Sequence, residues 1–437
     1  MQFEDWLKLK ELEYKDGVLF IDGVSTIELA EKYGTPIYVI NEQKIRRQYN
    51  RLKKMLDKEY EKNKVHFAVK SNSNLSVLRI LNTEGASFDC SSTGEIFTCF
   101  KAGVTPDKII YTGNMFTDED FEFAVKNDVL VNLDSISQLK RLNKAYQKLN
   151  KEKGTISMRI NPEFGAGHHV HTITAGKELK FGILDEQVIK AYSKAKDMGF
   201  KKFGIHQHIG SGIINALDFE KAAEKFLSIV KKLTTTLNIN LEFIDFGGGL
   251  GIPYRPNEEP LDLGIYNKVV IHKFKETISK GNIGEPYLFI EPGRFISAES
   301  TILLSQINTI KNNGYKMFAG VNAGFNTLIR PTMYGSYHHI LLTDKKGRND
   351  EVKYDVTGPI CESGDILGKG RTLPELKEGD YLAILDAGAY GYTMSSAYNS
   401  RPRPAEVLIN EGKSYLVREA ETFEDLIRKE NIPEHLT

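Results

Sequence analysis

HFAVKSNSNLSVLRILNTEGASFDCSSTGEIFTCFKAGVTPDKIIYTGN, residues 66–114, states one theme repeatedly. A short β-branched or aromatic run (HFAVK from His66, SFDCSS from Ser87, KIIYTG from Lys108) ends in a polar or glycine-bearing turn before the next element. Five further runs continue it: LVNLDS from Leu130, TISMRINP from Thr155, FGIHQHIG from Phe203, FIDFGGG from Phe243 and YLFIEPGR from Tyr287. Stretches such as Asp118 to Asn127 and Asp218 to Leu237 lie between them, with apolar residues at helical spacing. Roughly eight strand–helix units predict an α/β chain with a closed, TIM-like (β/α)8 barrel over residues 37–294. An open doubly wound sheet would need a glycine-rich turn near the first strand, and none is there.

After Arg294 the rhythm changes. KYDVTGPI, YLAILDAGAYG, AEVLIN and KSYLVREA read as strands joined by tight turns, which predicts a C-terminal antiparallel β domain over residues 295–437. YKDGVLFIDG reads as a hairpin around Asp16-Gly17, and residues 1–36 are expected to join that β domain.

At 437 residues the chain is long enough for one large α/β domain and a smaller one. Lys+Arg and Asp+Glu both number 58, so no global field draws it to nucleic acid or anionic lipid, and neither is expected as a partner. The opening MQFEDWLKLK is no secretory signal, and the apolar runs are too short to span a bilayer. Of three cysteines, Cys90 and Cys99 read as reduced interior thiols, which predicts a cytoplasmic location.

Certain strand ends carry chemistry. Lys70 closes HFAVK, where a residue before the turn points over a barrel mouth and partial desolvation can favour a neutral, nucleophilic amine; a merely solvated lysine is the bland alternative. The glycines of FIDFGGGLGIPY allow close approach of backbone N–H groups to a phosphate, with Ser211 of HIGSG on the preceding strand adding a hydroxyl. Glu291 opens EPGR; it either faces a pyridine nitrogen or pairs with its neighbour Arg294. His206 and His208 alternate along one strand, and with His168, His169 and His171 they raise a zinc hydrolase as rival. No third histidine stands at another strand end, so no metal is expected, and His206 is taken as structural.

Taken together, these motifs resemble the fold-type III pyridoxal-phosphate decarboxylases, in their diaminopimelate decarboxylase branch. The residues that carry the resemblance are Val69 to Asn72, His208 to Ser211, Gly247 to Gly251, Glu291 to Arg294, Cys361 to Asp365, Asp386 to Gly391 and Met394 to Val407. They span nearly the whole chain in order; the GGG and EPGR motifs are shared widely, the last two are specific to the branch.

The resemblance implies that Lys70 holds pyridoxal 5'-phosphate covalently, that His208 stacks on its ring and that Glu291 faces its nitrogen. Ser211, Gly248, Gly249, Pro292, Gly293, Arg294 and Tyr390 would hold the phosphate and cofactor, with Asp89 and Arg159 nearby. Arg294, Arg330, Tyr334 and Tyr390 would contact substrate, Glu362 would face its distal ammonium group, and Cys361 would donate a proton. It further implies decarboxylation of meso-diaminopimelate to L-lysine by a homodimer with shared active sites. Departures occur at Gly212, where relatives often carry glutamine, at Ala397, and in NPEFGAGHHVHTITAG. Alternatives are a sister decarboxylase of ornithine, lysine, arginine or carboxynorspermidine, an alanine-racemase-like enzyme, and a non-catalytic relative. Arg294, Arg330 and Tyr334 suit a distal carboxylate and disfavour simple diamines; Glu291 disfavours a racemase.

Overall fold

The computed structural model describes residues 3–167, 169, 174–176 and 179–437, so His168 and His171 lie outside the described residues. The chain divides into two compact units. The first is formed by Ile45–Pro253 and Glu258–Ser297; the second by Met1–Lys44, Tyr254–Asn257 and Ala298–Thr437.

The first unit is a closed barrel. Its strands are β1 (Asn63–Ala68), β2 (Ser87–Cys90), β3 (Ile109–Thr112), β4 (Leu130–Leu133), β5 (Ile156–Asn161), β6 (Phe203–Gln207), β7 (Leu241–Asp245) and β8 (Tyr287–Ile290). All pair in parallel with their sequence neighbours, and β8 pairs with β1 to close the ring. All eight runs read from the sequence are strands. Their near-continuous burial fits parallel strands covered on both faces. Polar residues after several strands start the following helices: Asn74, Ser92, Thr117 and Ser135 each accept a hydrogen bond from a first-turn N–H. Inside the ring, Phe243 stacks on Phe289 at 4.5 Å with Ile110 beside them, and the buried His66 ring lies 4.4 Å from Phe289. Burial holds His66 down to about 3, so it fills space as a neutral ring.

The second unit contains a sheet in the order Ile366–Pro374, Glu351–Thr357, Met317–Val321, Thr301–Asn312, Ile37–Asn41, Ala405–Asn410, Lys413–Arg418. Two of its pairings depart from the antiparallel expectation. Met317–Val321 runs parallel to Glu351–Thr357, and Ile37–Asn41 parallel to Ala405–Asn410. In both cases the intervening chain is far longer than a hairpin turn, which parallel pairing requires. Ile37–Asn41 opens the barrel in the sequence reading; here it is hydrogen-bonded between Thr301–Asn312 and Ala405–Asn410.

The N-terminal hairpin forms as expected, Leu12–Lys15 against Val18–Ile21, with Asp16 and Gly17 both at positive φ. Gly17 O and Leu19 N then bond to Lys345 N and Thr343 O, within the same unit. The same unit holds a buried charge quartet. Lys10 Nζ is 2.9 Å from both Glu299 Oε1 and Asp386 Oδ1, and Lys44 Nζ is 3.0 Å from Glu299 Oε2. Two cations and two anions balance, and the quartet anchors Asp386, the first residue of DAGAYG.

Candidate active site

The barrel's chemically loaded side chains gather at the C-terminal ends of the strands. Lys70 lies in a single 3-10 turn, Val69–Ser71, directly after β1, and its Nζ pairs with Asp89 on β2. Asp89 is fully buried; burial and the Glu291 charge raise its carboxyl against the pull of Lys70. Arg159 on β5 donates to the carbonyls of Thr174 and His208, both at 3.3 Å. Burial brings it down to about 10, so it stays a cation at neutral pH.

Glu291 follows β8, and its partner is His206 rather than its neighbour Arg294. His206 Nε2 lies 3.0 Å from Glu291 Oε2, with both side chains buried. A carboxylate only accepts, so His206 Nε2 donates. Burial opposes the charged form of Glu291, yet His206 and Lys70 outweigh it and hold the carboxyl below the ordinary carboxylate range. Asp245, at the end of β7, behaves oppositely: burial first, then the Glu291 charge, push it well above that range. The two neighbouring carboxyls are thus pushed in opposite directions, Asp245 toward its neutral form and Glu291 toward its charged one.

His206, Asp245 and Glu291 offer ligand atoms within 4.8 Å of one another, the one such grouping among the described residues. Asp245 Oδ1 accepts from Gly247 N at 2.8 Å. Neither His206 nor Asp245 was singled out for this cluster from sequence. The signals present were buried polar residues, His206 and Asp245, in the strands FGIHQ and LEFID.

His208 lies just past β6. Burial, Arg159 and Lys70 push its ring well below the ordinary histidine value, so it is neutral. Gly248 N donates to its Nδ1 at 3.0 Å, which places the ring hydrogen on Nε2. The glycine run is thus mostly spent inside the protein: Gly247 N goes to Asp245, Gly248 N to His208 and Gly251 N to Ile213 O. Gly249 N has no acceptor among the described residues and is the N–H of the run open to a phosphate. Gly248 is glycine for a steric reason, since a Cβ there would sit 2.2 Å from Glu291 O. Arg294 Nη2 donates to Ser211 Oγ at 3.2 Å, and Pro292 O accepts from Ala68 N at 3.3 Å, tying EPGR to β6 and β1. Gly293 packs against Ser71.

The remaining predicted residues belong to the other unit. Arg330 and Tyr334 share the short helix Arg330–Tyr334, and the Arg330 guanidinium carbon lies 6.0 Å from the ring centre of Tyr390. Cys361 is exposed, and its N–H donates to Asn399 Oδ1 at 3.2 Å. Glu362 accepts from Tyr398 OH at 2.7 Å. Asp365 staples this loop by accepting from Phe325 N and Ile360 N.

A family model described as the pyridoxal binding domain of pyridoxal-dependent decarboxylases matches residues 42–298. A diaminopimelate decarboxylase of Methanothermobacter thermautotrophicus is 49% identical over 427 residues, covering 98% of this chain and 99% of the relative. One from Archaeoglobus fulgidus is 38% identical, covering 96% and 99%. The chain belongs to the diaminopimelate decarboxylase family. The crystal structure of the M. jannaschii diaminopimelate decarboxylase in co-complex with L-lysine is similar to it at a TM-score of 0.91 and 35% identity, covering 98% of this chain and 99% of that one.

The barrel residues of this family member fit pyridoxal phosphate. Glu291 is an ionised carboxylate with acceptor capacity beyond its bond to His206, as a protonated ring nitrogen requires. Gly249 N and Ser211 Oγ suit a phosphate, and Lys70 supplies an amine.

Gly248→Ala tests how tightly the EPGR and GGG turns are packed. The added methyl meets a backbone carbonyl rather than a flexible side chain, so we expect a stability loss of about 1–3 kcal/mol and weaker cofactor retention. Chemical denaturation and cofactor titration measure both; wild-type values for each would mean the turns are not packed as described.

Proposed function

We propose that this protein removes CO2 from meso-2,6-diaminopimelate to give L-lysine, as a pyridoxal-phosphate-dependent carboxy-lyase acting in lysine biosynthesis. The observation that carries the reading is the buried, ionised Glu291 held by His206 in the same mouth as Lys70. Pyridoxal phosphate, when bound, supplies an electron sink for the pair left at Cα as CO2 departs.

Lys70 would hold the cofactor, with Asp89 as its counter-charge. Glu291 would keep a proton on the ring nitrogen, which a racemase-like site avoids. The neutral His208 ring would lie against the cofactor face without adding a second positive charge. Ser211, Gly249, Gly293, Arg294 and Tyr390 would hold the phosphate end, Gly248 and Pro292 shaping the turns that present them, and Arg159 would support His208 through its carbonyl. Arg330, Tyr334 and Arg294 would read the carboxylate of the substrate's non-reacting end, with Glu362 facing its ammonium group. Cys361 would deliver the proton that replaces CO2. Among the described residues, no helix is long and apolar enough to cross a membrane. Cys90 and Cys99 lie 3.7 Å apart as buried free thiols, which supports a cytoplasmic setting.

CO2 release from meso-diaminopimelate, ornithine, lysine and arginine tests the substrate. Arginines that read a distal carboxylate are left unpaired by the other three, so kcat/KM should favour diaminopimelate by at least about 100-fold. Comparable turnover of a simple basic amino acid would assign the protein to a sister activity.

The homodimer with shared sites is part of the same proposal, each site using Lys70 of one chain and Cys361 of the other. Mixing Lys70→Ala with Cys361→Ala under verified subunit exchange should then return about a quarter of wild-type activity, because half the dimers are mixed and each has one intact site. Activity staying at the level of the parent mutants would place Cys361 in its own chain's site.

A further inference from the structure

The second unit holds a buried arginine seat that the role given to Arg330 leaves unexplained. Arg330 is only 1% exposed although it carries a permanent charge. Its Nη2 donates to Ser336 Oγ at 3.2 Å and its Nε to His338 Nε2 at 3.3 Å. His338 is fully buried, and its Nδ1 lies 2.8 Å from the carbonyl oxygen of Leu385. Tyr254 closes edge-on over the imidazole at 5.5 Å.

These two contacts fix the chemistry of the ring. A carbonyl can only accept, so His338 Nδ1 carries a hydrogen; an arginine Nε can only donate, so His338 Nε2 carries a lone pair. The neutral ring protonated at Nδ1 is the one species that satisfies both, since an imidazolium would turn N–H against N–H. The Leu385 carbonyl selects this tautomer, and Leu385 is itself tied by its N–H to His339 O at 2.8 Å. It directly precedes the DAGAYG segment that carries Tyr390.

We propose that His338 is the positioning residue for recognition of the substrate's non-reacting end: its neutral imidazole holds Arg330 Nε and so fixes the plane in which the guanidinium meets a carboxylate. The proposal rests on the reading of Arg330 given above. Bidentate pairing with a carboxylate depends on the orientation of the planar guanidinium. A carboxylate at position 338 would hold Arg330 equally well but would neutralise it and compete with the substrate. A neutral acceptor holds the arginine without cancelling its charge.

The test compares binding of L-lysine, which carries a carboxylate, with binding of cadaverine, the same diamine chain without one. Titration calorimetry on the holoenzyme would include wild type, Arg330→Ala, His338→Leu, His338→Gln and His338→Glu. His338→Leu should weaken L-lysine about tenfold while changing cadaverine less than twofold. His338→Gln, whose side-chain oxygen can take the Nε hydrogen, should recover most of that loss, whereas His338→Glu should not. Should His338→Leu fail to fold, the Gln–Glu pair decides, and equal L-lysine affinity in those two variants overturns the proposal. If Arg330→Ala keeps the preference for L-lysine over cadaverine, the reading of Arg330 itself falls. If Arg330→Ala loses that preference and His338→Leu keeps it, the His338 proposal alone fails.

Discussion

A buried carboxylate is expensive, and the barrel mouth is organised around one. Taking an ion out of water costs several kcal/mol even after relaxation, so Glu291 stays charged only because its surroundings compensate. His206 supplies a hydrogen bond from β6, and Lys70 adds favourable charge. Asp245 differs, because burial and the Glu291 charge favour its neutral form. The arrangement draws on β1, β6, β7 and β8, so a closed ring is what makes the site possible. The GGG turn can pass only without side chains, because Gly248 runs against the backbone oxygen of Glu291 itself.

Two histidines are neutral here for different purposes. His208 is kept uncharged by burial beside Arg159 and Lys70, with its tautomer set by Gly248 N. His338 has its tautomer set by Leu385 O and passes that orientation to Arg330. In both places a backbone group chooses which ring nitrogen carries hydrogen.

The barrel was legible because each strand is a short apolar run closed by a polar turn, a local pattern repeated eight times. Ile37–Asn41 was misplaced because IYVIN is fully buried in either sheet, and its partners lie hundreds of residues away. Lys70, EPGR and GGG were visible as motifs. What the glycines do was not, since only the fold brings Gly248 against Glu291. His206 looked structural because a histidine on an apolar strand usually is, and its partner sits 85 residues later. The quartet of Lys10, Lys44, Glu299 and Asp386 was invisible for the same reason, its members scattered along the chain.

The balance of charge in the barrel mouth turns on where one proton resides. Infrared difference spectroscopy of the apoenzyme at neutral pH, wild type against Asp245→Asn, reads this directly. With Asp245 neutral beside an ionised Glu291, the substitution should remove the carbonyl band of a buried protonated carboxylic acid. Loss of an ionised-carboxylate band instead, with the protonated-acid absorption unchanged, would contradict it.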